Sequence, residues 1–178
     1  MAATQTTVAD RMTLAIAGML DQSEMVASIR SYTSEEASAE IPFGTMVIRG
    51  TDEDNGVLQV HTSGATVIAL LAGVVVHSHA YAKTQELGDT GLKPDTTFGV
   101  LQKGRIWVTT EDACDPGDAV RVRVVVAGAE VKGAFRVAAD STDCVVLSKT
   151  MARWLTSAGA GGLALLELDM LAIDAVAD

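Results

Sequence analysis

Thr45-Met46-Val47-Ile48-Arg49-Gly50 and Val57-Leu58-Gln59-Val60-His61 are two short runs rich in β-branched and other apolar residues, separated by Thr51-Asp52-Glu53-Asp54-Asn55-Gly56. Runs of this texture read as strands. Asn55-Gly56 suits a tight reversal with positive φ. The stretch therefore predicts a β-hairpin, with Ile41-Pro42-Phe43-Gly44 as a turn leading into it. The class of the fold follows because the same texture recurs along most of the remaining chain.

After the hairpin, Thr66 to His77 is a long β-branched run interrupted by Gly73, which marks a bulge or bend. Thr97 to Gln102 and Arg105 to Thr109 read as strands separated by Lys103-Gly104. Asp115-Pro116-Gly117-Asp118 is a strong turn signal. It opens Ala119 to Val125, whose Val/Arg alternation predicts a strand with one wet face. Ala127-Gly128 turns the chain into Glu130 to Val137, and Cys144 to Leu147 and Ala152 to Leu155 follow. The Gly-rich Ser157 to Gly162 precedes a closing apolar strand, Leu163 to Leu168. About nine strands with little room for helices predict an all-β, single-domain sandwich or barrel, jelly-roll-like in outline. Residues 41–172 form this β domain, residues 1–40 an irregular N-terminal arm with weak helical patterning at best, and 173–178 a tail. Tyr81 to Thr97 reads as a polar loop of about 16 residues, long for a compact domain and so expected to be functional or covered by a partner.

The chain has 178 residues, 48% of them hydrophobic, enough for a packed core without metals or disulfides. Only 4% are aromatic, so Ala, Val and Leu carry that core. Thirteen basic residues are scattered among 23 acidic ones, and the net charge of −10 argues against nucleic acid and against an anionic membrane surface. The N-terminus lacks the charged start and apolar run of a signal peptide, which predicts synthesis in a cytoplasm. Cys114 and Cys144 are expected to be free thiols.

Chemistry-bearing motifs are sparse. His77 and His79 have a spacing that metal sites use, but no acid or thiol completes a set with them or with His61. Asp52, Glu53 and Asp54 lack the alternating ligands and distal Glu of a calcium loop. Ser157 to Gly162 lacks the Lys-Ser/Thr ending of a phosphate loop, and Ser157 lacks a nucleophile elbow. Trp107 is expected to be a core or half-buried anchor, and Trp154 to sit in more exposed surroundings. The expected site inventory is empty: no catalytic residue, no cofactor and no metal.

Several segments, read in order, resemble the bacteriophage structural cement (capsid decoration) proteins. They are Ile41-Pro42-Phe43-Gly44 with Met46-Val47 and Gly50-Thr51, and then Leu71 to His77. Val100-Leu101-Gln102-Lys103-Gly104-Arg105-Ile106-Trp107-Val108 and Asp115 to Val120 follow, and then Gly133-Ala134-Phe135-Arg136 and Leu163 to Leu168. The resemblance spans about residues 9 to 170 and implies a non-enzymatic virion protein. Such a protein sits on the capsid exterior, clamps major capsid protein subunits and associates with itself as a homodimer or homotrimer. Contacts are then expected on the arm, Thr4 to Glu40, and on the loop from Tyr81 to Thr97. The alternatives are a tail or baseplate module, or a small β-barrel ligand-binding protein or enzyme. The last would need a concave pocket with converging polar groups.

Overall fold

The computed structural model describes residues 15–21, 27–37, 40–52, 54–60, 66–78, 91–126, 130–140 and 144–171. These residues are nearly all β. The strands are β1 (Ser28–Ser34), β2 (Ile41–Pro42), β3 (Met46–Arg49), β4 (Gly56–Gln59), β5 (Leu71–Val75) and β6 (Gly91–Leu92). After them come β7 (Thr97–Thr109), β8 (Arg121–Arg123), β9 (Phe135–Arg136), β10 (Cys144–Val146), β11 (Ala152–Trp154) and β12 (Leu163–Asp169). One short helix, α1 (Thr66–Leu70), precedes β5.

Seven strands form one sheet in the order β1-β4-β3-β5-β7-β12-β11, and β1 also pairs with β7. That extra pairing closes β1, β4, β3, β5 and the first half of β7 into a five-stranded barrel. All its pairings are antiparallel except β1 with β4. Of sandwich and barrel, the barrel is therefore what forms. A second sheet, β10-β8-β9, and the β2-β6 ribbon complete the architecture.

The alternation of side chains along the strands builds two cores. Tyr32, Val47, Val57, Val75, Phe98 and Val100 share one, together with Ile41, Phe43 and Leu92 from around the β2-β6 ribbon. Met46, Ile48, Leu71, Val74 and Leu101 belong to the other, packed with β7's far half, β8, β11 and β12. β3 thus has a core on each face, which is why Met46, Val47 and Ile48 are all buried. β7 serves both cores by changing phase. Phe98 and Val100 point into the first, whereas Ile106 and Val108, also at even positions, point into the second. The register against β1 slips at this point, since Ser28 pairs with Lys103 but Ile29 with Leu101. Lys103-Gly104 is therefore no turn between two strands, as expected from the sequence, but lies within one 13-residue strand, directly after a bulge at Gln102.

Gly73 does mark a bulge. Val47 pairs with Gly73 and Ile48 with Leu71, so Ala72 is an extra residue. The extra residue lets Leu71 and Val74, three apart, face the same core. Gly73 has φ +141°, and a Cβ there would lie 2.2 Å from the carbonyl oxygen of Leu101.

The β3-β4 hairpin forms as expected, with Val47 opposite Gln59 and Arg49 opposite Val57. Its turn is not the positive-φ reversal expected at Asn55-Gly56, because neither residue has positive φ. Instead the Glu35 carboxylate accepts from the Thr51 and Asp52 amides at 2.7 and 2.8 Å. Asp52 Oδ1 in turn accepts from the Asp54 and Asn55 amides. A Cβ at Gly56 would fall 1.7 Å from Glu35 Oε1, so a side chain there would push the carboxylate off the turn amides.

Other readings are revised. Thr66 to Leu70 is helical, so only the second half of the run to His77 is strand. Residues 28–34, inside the zone read as an arm, are barrel strand β1, and Gly18, Met19 and Asp21 hydrogen-bond to the free edge of β7 at Arg105 and Trp107. Ile41-Pro42 is a strand paired with Gly91-Leu92, within the region read as a loop. Residues 81–90 of that region lie outside the described residues, as do the tail, 173–178, and the proposed turn at Ala127-Gly128. Trp154 is buried, with its ring edge-on to Phe135 at 6.3 Å, whereas Trp107 is half-buried as expected.

Candidate functional site

A concavity of about 1000 Å³ opens between the barrel and the β8-β9 region. Ala15 and Ile16 from the N-terminal segment, Phe43 and Val131 line its apolar part. A charged wall faces them, with Glu111 and Asp112 following β7, Arg123 on β8, Arg136 on β9, and Glu130 and Asp140 on the flanking loops.

The wall is built around Arg123. The Val/Arg alternation of this strand predicts an exposed arginine, yet Arg123 is 3% exposed. Its Nε and Nη2 donate to Glu111 Oε1 and Oε2 at 2.7 and 2.8 Å, a two-pronged pairing. Nη1 donates to Glu130 Oε2 at 2.9 Å, and Nη2 also to Asp140 Oδ2 at 3.1 Å. The Glu111 contacts hold the guanidinium well above its ordinary pKa despite the cost of burial.

Arg136 lies alongside. Its Nη1 donates to Asp140 Oδ2 at 2.8 Å, and its Nε stands 3.4 Å from Asp112 Oδ2 without hydrogen-bond alignment. Burial opposes its charge, but Asp112 and its other acidic neighbours outweigh that and raise its pKa. Asp140, hydrogen-bonded to Arg123 and Arg136, is held below the ordinary carboxylate range. Asp112 Oδ2 also accepts from the amides of Val137 and Ala138, which fixes the chain after β9.

The arrangement thus sets two buried guanidiniums against four partly exposed carboxylates. Nothing in it resembles a nucleophile and base pair; its chemistry is that of a rigid charged surface beside an apolar one. The sequence reading missed it because its members come from separate loops. The only local signal is an Arg inside the valine-rich strand.

The residues singled out in the sequence lie elsewhere or apart. His77 lines the same concavity, half-buried, with its ring 4.7 Å from that of Phe43. His61, His79 and Glu53 lie outside the described residues. Among the described residues no three His, Cys, Asp or Glu side chains group in a way that would hold a metal ion. The Gly-rich Ser157 to Gly162 packs against a neighbour, since Gly161 N donates to Thr110 O and Thr110 N to Gly162 O. Cys114 and Cys144 are free thiols. No described helix is long and apolar enough to cross a membrane.

A chain from a solved structure titled "The capsid of Myoviridae Phage XM1" has the same fold. It superposes with a TM-score of 0.68 at 15% identity, covering 94% of this chain and 98% of that one. No curated protein matches the sequence closely enough to count. The family described as "Structural cement protein (E217 gp24/Pam3 gp6)" matches residues 4–169. A match over nearly the whole chain, on a fold that a phage capsid also contains, places this protein in the phage structural cement family.

Proposed function

We propose that the protein binds the outer surface of an assembled phage shell and clamps neighbouring major capsid subunits, without catalysing a reaction. The observation that carries this reading is the family match over residues 4–169. Three physical features support it. The net charge of −10 suits docking onto a basic protein surface and disfavours the genome inside the shell. A barrel whose strand β7 continues into a second core is a stiff body, as a clamp requires. β11 ends the seven-stranded sheet and offers an edge to which another chain, shell subunit or second copy, can add a strand.

The mechanism is mass action on a lattice. A protein that binds only the assembled shell stabilises it by its binding free energy, and many copies multiply the effect. Self-association as a homodimer or homotrimer would bridge adjacent subunits. The experiment is shell melting: shells lacking the protein are heated with and without it, and release of their contents is recorded. The reading predicts a breakage temperature that rises with added protein until sites are full. An unchanged breakage temperature at saturating protein contradicts it.

A further inference from the structure

We propose that the groove beside Arg123 receives a segment of the shell subunit that carries a lysine or arginine flanked by apolar side chains. The inference rests on the shell-binding reading and adds where, and by what chemistry, the contact is made.

The charge exposed in the groove is acidic, although arginines sit at its heart. The side chains of Arg123 and Arg136 are 3% and 10% exposed, whereas those of Asp112 and Asp140 are 31% and 40% exposed. Both aspartates engage the arginines through Oδ2. Their Oδ1 atoms have no partner among the described residues, so each keeps an acceptor to offer. An anionic ligand would meet these carboxylates first. A cationic side chain would meet acceptors already fixed in place, which lowers the cost of ordering them.

The rest of the groove is apolar. Ile16 and Val131 are 40% and 38% exposed and line it, with Phe43 beside them. Large apolar side chains exposed together around a concavity fit a partner segment better than a free ion. A volume of about 1000 Å³ accommodates several side chains. A second copy is the poorer occupant of this acidic groove, because the chain has only 13 basic residues against 23 acidic ones to present to it.

The test uses a matched pair of substitutions at an exposed position outside the ion network, Val131→Lys and Val131→Glu, with Ile16→Lys and Ile16→Glu repeating it across the groove. Each pair adds similar bulk and differs in sign. Affinity for purified shells lacking the protein is measured by co-sedimentation, with circular dichroism and oligomeric state recorded for every variant. The expected result is at least a tenfold loss for the Lys variants and wild-type or tighter binding for the Glu variants, the gap narrowing at high salt. Wild-type protein that fails to bind shells overturns the shell-binding reading and this inference with it. Wild-type binding with all four variants unaffected overturns the groove alone. Equal loss in Lys and Glu variants overturns the cationic partner. Changed self-association with unchanged shell binding assigns the groove to a second copy and overturns the proposal.

Discussion

Arg123 and Glu111 meet side by side, with guanidinium Nε and Nη2 2.7 and 2.8 Å from carboxylate Oε1 and Oε2. This pair ties β8 to the chain just after β7, and through Asp140 it also ties in β9. The charges that shape the groove are therefore part of what holds the second core's rim in place.

Glu111→Gln should be strongly destabilising, because the amide offers the buried Arg123 one neutral acceptor and turns an NH2 donor toward its other N–H, where there was a bidentate carboxylate. Removing one partner of a buried pair costs about 3–5 kcal/mol. Urea unfolding followed by tryptophan fluorescence should show the midpoint fall accordingly. Arg153→Ala removes the Arg153–Glu167 pair, whose arginine side chain is 60% exposed. It should shift stability by less than about 1 kcal/mol. Equal effects would mean that the Arg123 network does not carry the stability assigned to it.

Gly73→Ala should fail to fold or lose several kcal/mol. The added methyl would sit 2.2 Å from the Leu101 carbonyl oxygen, at a φ that L residues rarely adopt. Gly117→Ala is the control: its φ is also positive, at +100°, but a Cβ there meets nothing within 4 Å. Its loss, about 1–2 kcal/mol of backbone strain, should be clearly smaller. Thermal melts of both variants check the ranking.

Acid should loosen the hairpin through Glu35. The amides of Asp52 and Thr51 donate to its carboxylate and hold its pKa below the ordinary value. A group whose pKa is depressed by folding contributes stability above its unfolded value, and that contribution is lost as pH falls through the folded one. Stability should therefore decline below about pH 4. Glu35→Gln should lower stability at neutral pH and flatten this acid limb. Asp140, held down by Arg123, acts in the same direction. An acid limb unchanged in Glu35→Gln would show that the carboxylate does not hold the turn.

Cys114 should resist thiol reagents in the native state. It is buried, and burial raises the pKa of its thiol, so little thiolate forms at neutral pH. Titration with a chromogenic disulfide should label it only after denaturant is added. Rapid native labelling at Cys114, identified by peptide mapping, would contradict its position in the core.

Much of the barrel is legible in the sequence where the signal is local. The β3-β4 hairpin, the bulge at Gly73, the Asp115 to Asp118 turn and strand β12 each follow from a few neighbouring residues. What is not legible depends on distant partners. β-branched residues at Thr66 to Leu70 favour strand locally, yet the segment is helical. Lys103-Gly104 has the composition of a turn, but pairing with β1 on one side and β12 on the other keeps β7 continuous. Arg123 looks like one member of a wet face, and only acids arriving from three other positions, Glu111, Glu130 and Asp140, allow its burial. Trp154 follows the same rule, since Phe135 and the Ala119 carbonyl, both far in sequence, cover it.

The most direct test of the central claim compares binding of the purified protein to assembled shells and to unassembled major capsid subunits. The account predicts saturable co-sedimentation with assembled shells at a fixed ratio to the major capsid protein, and weak or no binding to free subunits. Absence of binding to shells at micromolar protein, or equal affinity for free subunits, would contradict it.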